Sequence, residues 1–219
     1  KPSQNAFPPL SMPERMSQEA PDVYRDLQSL QDVTDDVVVI GIGGSSLGLV
    51  AVHSFLFGHT PYGYGGALPK LKKRVRVVEM PSYEEAVSLL QEIDPARTRF
   101  LVISKSGNTL ETILGFLTLL EPLKKTLGEE YLKDHAFFVT DPESSPLLAL
   151  ARRLNSRVYG IPKEIGGRFS LLGSPMASVF LGLLGVEATP LFKGAQKAKE
   201  ELLKASPDRS VPFLLGSGL

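Results

Sequence analysis

The sequence predicts an α/β fold, a five-stranded parallel sheet flanked by helices. Three observations carry this reading. Short runs rich in β-branched and aromatic residues recur at 37–41, 74–79, 99–103, 136–140 and 157–161. Longer apolar stretches with helical patterning separate them, and Gly- or hydroxyl-rich loops follow several of the runs. Runs such as Val37-Val-Val-Ile40 are continuously apolar instead of alternating, as expected of strands covered on both faces, and strands alternating with helices need parallel crossovers.

Taken in order, residues 1–35 are rich in Pro, Ser and Gln, with helical patterning only from Glu19 to Leu30, and read as an N-terminal arm. The α/β domain spans 36–185. Its helices are expected at 45–57, 82–93, 108–121, 145–154 and 174–184, and a connecting helix at 190–204. Ser82 with Glu85 has the spacing of a capping box, and so has Asn108 with Glu111. Residues 186–219 read as that connecting helix and the start of a second α/β domain, because Val211-Pro-Phe-Leu-Leu-Gly-Ser-Gly-Leu219 has the form of a new strand entering a Gly/Ser turn. With a first residue that is not Met, the chain reads as one half of a longer protein.

Composition narrows the function classes. Lys+Arg and Asp+Glu balance at 24 each, so no global field draws the chain to nucleic acid or to a membrane surface, and any anion selectivity must be local. With no Cys there is no disulfide or thiolate chemistry. The sequence has neither a signal-peptide h-region nor an apolar run long enough to span a bilayer, which reads as cytoplasmic.

The chemistry concentrates in three loops, each following a strand. In open α/β sheets ligands bind beyond the carboxyl ends of the strands, so all three can face one crevice. Ser104-Lys-Ser-Gly-Asn-Thr109 joins a buried strand to a helix. A helix cap needs one hydroxyl residue; here Ser104, Ser106 and Thr109 crowd six positions with Gly107 and Lys105, the pattern of a phosphate-monoester cradle. Lys105 reads equally as a charge on the site or as a solvated side chain. Gly41-Ile-Gly-Gly-Ser-Ser-Leu-Gly48 begins like a dinucleotide fingerprint, but Ser46 occupies its third glycine position and Glu79 comes too late to be its ribose-binding acid. In Gly166-Gly-Arg-Phe-Ser170, Gly167 lets the backbone pass close to a ligand and Arg168 offers a fixed donor fork, or else stands as a surface Arg beside a turn.

Other candidates read as structural. His53, His59 and His135 have no metal-site spacing; Asp141 and Glu79 carry carboxylates at the right sheet edge, but Asp141 before Pro142 is a usual turn and neither is taken as a base.

Together, Val38–Gly48 (VVIGIGGSSLG), Val102–Thr112 (VISKSGNTLET) and Gly166–Ser170 (GGRFS) resemble three ordered signatures of the phosphoglucose isomerase family, the middle one shared with the wider sugar isomerase domain superfamily. The resemblance covers about residues 36–185. It implies a flavodoxin-like sugar isomerase domain and reversible isomerisation of glucose 6-phosphate and fructose 6-phosphate through a cis-enediolate, in glycolysis and gluconeogenesis. Ser104, Ser106 and Thr109 would hold the 6-phosphate, with Lys105 at the same loop. Gly44, Ser45 and Gly167 would lie along the sugar, and Arg168 would stabilise the oxyanion at the reacting carbons. Neither metal nor cofactor is implied, nor a nucleic-acid or membrane partner; a homodimer of the full-length protein is. The family's catalytic Glu, ring-opening His and late Lys have no counterpart in this sequence, so the chain is expected to supply the phosphate-binding half and to lack the base. A rival reading is a non-catalytic phosphosugar-binding regulatory domain of the same superfamily, which explains the phosphate loop but not Gly167-Arg168.

Overall fold

The computed structural model describes residues 8–58, 73–128 and 130–204. Strands β1 (Asp36–Ile40), β2 (Arg74–Val78), β3 (Thr98–Ser104), β4 (Ala136–Thr140) and β5 (Arg157–Gly160) form one sheet in the order β2-β1-β3-β4-β5. Every pairing is parallel, in registers such as Ile40 with Val78 and Val102, and Ser104 with Thr140. The expected strands fall within about a residue of these bounds. Inner strands β1, β3 and β4 are buried along their whole length, while edge strands β2 and β5 are partly exposed.

The helices are α1 (Met12–Gln28), α2 (Leu47–Phe57), α3 (Tyr83–Glu92), α4 (Leu110–Leu127), the single turn α5 (Leu132–His135), α6 (Pro146–Arg153), the single turn α7 (Ser170–Gly173), α8 (Met176–Leu184) and α9 (Thr189–Lys204). Successive strand residues point to opposite faces, and this period of two divides the core. Val37, Val39, Leu101, Ile103, Phe137 and Val139 pack under α1, α2 and α8, whereas Val38, Ile40, Phe100, Val102 and Phe138 pack under α3, α4 and α6. All nine residues of α8 are buried, as suits a helix apolar all round.

The N-terminal segment differs from its sequence reading. Helix α1 begins at Met12, seven residues before the expected Glu19, because Pro13 in the first turn costs no intrahelical hydrogen bond. Met12, Met16, Ala20, Val23 and Leu27 then form one buried stripe at helical spacing. A Cβ on Gly182 would lie 2.9 Å from Leu27 Cδ1, so α1 and α8 pack closely. Helix α9 is tied to α1 by the Lys199–Glu14 ion pair at 2.9 Å and by Gln196 Nε2 donating to the Pro13 carbonyl at 3.0 Å.

The two capping boxes part company. At α3 the box is present, with the Glu85 amide donating to Ser82 Oγ at 3.2 Å and the Ser82 amide to Glu85 Oε2 at 2.7 Å. At α4 the helix starts two residues after Asn108, and Thr109 takes the N-cap position without a side-chain cap bond. Asn108 is engaged in the preceding loop instead, its side-chain amide donating to the Ser106 carbonyl at 3.2 Å. His59 and the strand expected from Val211 lie outside the described residues.

Candidate functional site

Strand order 2-1-3-4-5 reverses direction between β1 and β3, and the crevice beyond the carboxyl ends of those strands is where this topology places a ligand. The three loops singled out in the sequence all emerge at this edge.

The loop after β1 makes a short helical turn over Gly43–Ser45, with Gly43 at a φ of 53°, a left-handed backbone that favours glycine. Two of its glycines mark close approach. A Cβ on Gly41 would lie 2.9 Å from the Ile103 carbonyl oxygen, and one on Gly44 would lie 2.5 Å from the Gly167 carbonyl oxygen. The first and third loops therefore meet backbone to backbone, and no side chain fits between them. Ser45 is half-buried. Buried Ser46 Oγ lies 3.4 Å from both the Gly43 carbonyl and Glu79 Oε1, and its single proton goes to one or the other.

In the loop after β3 the hydroxyls form two tiers. Ser104 is 1% exposed; its Oγ shares a 2.8 Å hydrogen bond with Thr109 Oγ1 and accepts from the Gly107 amide at 3.1 Å. Ser104 thus lies beneath the loop and braces it. Ser106 is exposed and accepts the Asn108 amide at 3.2 Å, while Lys105 and Thr109 are half-buried. Gly107 has a φ of 63°, and a Cβ there would lie 2.0 Å from Ser145 Oγ and 2.8 Å from Thr140 Oγ1. The Gly107 carbonyl accepts from the Leu147 amide at 3.2 Å, which moors the loop to the start of α6.

Helix N-termini carry unpaired amides and a partial positive charge unless something caps them. Ser82 caps α3 and Ser145 caps α6, whereas α2 and α4, which start from the first and second loops, carry no side-chain cap bond. The uncapped starts of α2 and α4, the exposed Ser106 and the half-buried Thr109 and Lys105 all belong to loops at one edge. Such a set of donors has the chemistry that an anion with several oxygens requires.

The third loop turns helically over Gly167–Phe169, with Arg168 exposed. Leu171, in the α7 turn that follows, packs against Gly48, since a Cβ on Gly48 would lie 3.1 Å from Leu171 Cβ. Gly44, Ser45, Gly167 and Arg168 are therefore one assembly, braced against the end of β3 through Gly41. Thr140 and Ser145 are support residues the sequence reading missed. Ser145 was legible as an N-cap before Pro146; Thr140 carries no signal beyond that of a strand residue.

The remaining candidates take structural roles. His53 is buried, with its ring 5.0 Å from Phe57 and 6.4 Å from Phe180. His135 stacks on Tyr131 at 3.8 Å, and burial lowers its pKa. The Asp141 carboxylate accepts the Glu143 and Ser144 amides, and these hydrogen bonds, with Lys163 and Lys105 nearby, hold its pKa low, as in an ordinary Asx turn. Among the described residues no group of three His, Cys, Asp or Glu side chains could hold a metal, and no single helix is long and apolar enough to cross a membrane.

Comparison with known proteins bears on the family and the fold. The family model for phosphoglucose isomerase matches residues 27–217. A glucose-6-phosphate isomerase of Thermus thermophilus is 35% identical over 201 residues, covering 88% of this chain and 45% of the relative. A crystal structure of a hypothetical protein, also from Thermus thermophilus, superposes with a TM-score of 0.83 at 32% identity, covering 100% of this chain and 49% of that one. A glucose-6-phosphate isomerase structure from Chlamydia trachomatis gives 0.70 at 28% identity, covering 90% of this chain and 36% of that one. The chain spans about half the length, or less, of the curated relatives it matches. A family model that takes in all three site loops, and relatives similar across most of the chain, place this protein in the phosphoglucose isomerase family.

Proposed function

We propose that this chain supplies the phosphate-binding half of a glucose-6-phosphate isomerase, acting on a hexose 6-phosphate in the cytoplasm as part of a homodimer. One observation carries the reading: the Ser104–Thr109 loop, with the uncapped start of α4, opens at the same sheet edge where Gly44 meets Gly167 and Arg168. The first group suits a phosphate and the second an oxygen-rich chain extending from it.

In this assignment Ser106, Thr109 and the first amides of α4 bind the 6-phosphate, Lys105 adds charge, and Ser104 holds Thr109 in place from below. Gly44, Ser45 and Gly167 line the path of the sugar. Isomerisation moves a proton from C2 of the open-chain aldose to C1, with a second proton passing between O2 and O1. The intermediate enediolate carries negative charge on oxygen, and the Arg168 guanidinium, always protonated, stabilises that charge. The base that carries the carbon-bound proton is assigned to the part of the longer relatives that this chain does not span. A positioned base contributes roughly 10² to 10⁴-fold.

The test is fructose 6-phosphate binding and turnover by the 219-residue species, its intact mass checked in the same sample. Binding that weakens in Ser106→Ala and Arg168→Ala, without turnover, is the expected result. Turnover by this species would overturn the assignment of the base. A folded chain that binds neither fructose 6-phosphate nor inorganic phosphate would overturn the site.

A further inference from the structure

The carboxyl ends of β2, β1 and β3 lie in a row, with β1 in the middle. In the proposed site the phosphate sits at the loop after β3 and the sugar runs along the loop after β1, so the next group in that direction is the residue that follows β2. That residue is Glu79, which is exposed. Its backbone is fixed on two sides: the Gly41 amide donates to the Val78 carbonyl at 3.3 Å, and a Cβ on Gly115 of α4 would lie 3.4 Å from the Glu79 carbonyl oxygen. Its side chain reaches the first loop, where Glu79 Oε1 lies 3.4 Å from Oγ of Ser46, the fully buried neighbour of Ser45. Ser46 is also the N-cap residue of α2, a helix with no acidic residue in its first turn and no side-chain cap bond. The start of α2 and the Arg168 guanidinium both attract anions, and in the proposed site both stand at the sugar end. By themselves they would hold a phosphate much as the start of α4 and Lys105 do, and a substrate with one phosphate could bind in either direction.

We infer that Glu79 is a specificity-determining residue: its carboxylate, stationed beside Ser46 at the start of α2, reserves the sugar end of the crevice for neutral hydroxyls, so that the site takes hexose monophosphates in one direction and rejects bisphosphates. The inference rests on the proposed hexose 6-phosphate site and gives Glu79 no part in proton transfer. Two strand spacings, about 10 Å, separate the carboxyl ends of β3 and β2. An extended six-carbon chain with a terminal phosphate is of comparable length, so its C1 end comes to the neighbourhood of Glu79. There a sugar hydroxyl donates to the carboxylate, whereas a second phosphate, with acceptor oxygens only and a double charge, is repelled.

The test is calorimetric titration of the chain with fructose 6-phosphate and with fructose 1,6-bisphosphate, as wild type and as Glu79→Gln. Glutamine keeps the size of the side chain at an exposed position, so folding is undisturbed. The wild type should prefer the monophosphate by roughly tenfold, the effect of one carboxylate on a doubly charged phosphate about 6 Å away in a water-like medium, and Glu79→Gln should abolish most of that preference. Because the exclusion is electrostatic, the wild-type preference should also shrink as salt is raised. Glu111→Gln, which removes the acidic residue in the first turn of α4, controls for net charge and should shift both affinities alike. A preference equal in wild type and Glu79→Gln, one that salt leaves unchanged, or one that Glu111→Gln abolishes as well, would overturn the inference and leave the hexose 6-phosphate site standing. A chain that binds neither sugar phosphate would overturn the site, and the inference with it.

Discussion

Gly107 and Ser145 stand so close that a methyl group on the first would lie 2.0 Å from the hydroxyl of the second. That hydroxyl is already engaged, capping α6 by accepting the Leu148 amide at 3.1 Å. The loop after β3 is thus set by a neighbouring strand–helix junction as well as by its own residues. Gly107→Ala combines a left-handed backbone that Ala tolerates poorly with a collision against a fixed cap, and should cost about 2 kcal/mol or more. Thermal unfolding measures the cost, and fructose 6-phosphate titration should show weakened binding in the fraction that remains folded.

The two tiers of hydroxyls predict different phenotypes for two neighbouring serines. Ser104→Ala removes a buried brace that accepts the Gly107 amide and pairs with Thr109, and should destabilise the fold by about 1–3 kcal/mol as well as weaken phosphate binding. Ser106→Ala removes an exposed hydroxyl; stability should stay within about 0.5 kcal/mol while phosphosugar affinity falls roughly tenfold. Chemical denaturation and calorimetric titration of both variants make the comparison, and equal stability losses would refute the two-tier arrangement.

The contact between the first and third loops can be tested at Gly44. Gly44→Ala drives a methyl into the Gly167 carbonyl at 2.5 Å and separates the loops by shifting backbone, not a flexible side chain. Sugar-phosphate affinity should fall by about tenfold, the worth of roughly one hydrogen bond lost as the loops part. Binding of inorganic phosphate alone, which engages only the second loop in the proposed site, should change much less.

Lys73 gives a pH signature remote from the site. Its ammonium donates to the Leu183 carbonyl at 2.8 Å, at the end of α8, and burial pulls its pKa down from 10.5 to about 8, with Arg99 adding to the effect and Asp32 opposing it. The folded state prefers the neutral amine. Below about pH 8 the cost of the half-buried charge is present in full, and it is relieved as the pH rises toward 10.5, where the unfolded chain also loses its proton. Lys73→Met has no such proton, so the wild type should gain stability relative to the variant across that window. Melting curves of both proteins against pH measure the difference, and a constant gap would contradict the shift.

At α3, Ser82→Ala should cost about 1 kcal/mol through loss of the observed capping box, whereas Asn108→Ala, at the position where the same sequence pattern yields no cap, should leave α4 intact. Denaturation midpoints of the two variants decide it.

The architecture, and the loops in which the proposed site is built, are written in local sequence. Continuously apolar runs such as Val37–Ile40 and Phe137–Val139 fit strands covered on both faces, and the loops after β1, β3 and β5 carry glycine and hydroxyl patterns that read as ligand-facing without coordinates. Burial on both faces and close backbone approach each constrain adjacent residues, so both leave a pattern that a short window reveals. How the residues share the work is a matter of long-range packing. That Thr140 and Ser145 stand against Gly107 depends on β4 lying beside β3, and that Ser104 lies beneath the loop while Ser106 faces outward depends on β3 being an inner strand buried to its last residue. The early start of α1 rests on its packing against α8 and α9, more than a hundred residues away in sequence. A hydroxyl residue reads the same in sequence whether it binds a ligand, caps a helix or braces a loop; the distinction is made by which partner lies within hydrogen-bond reach, and the tertiary fold sets that partner.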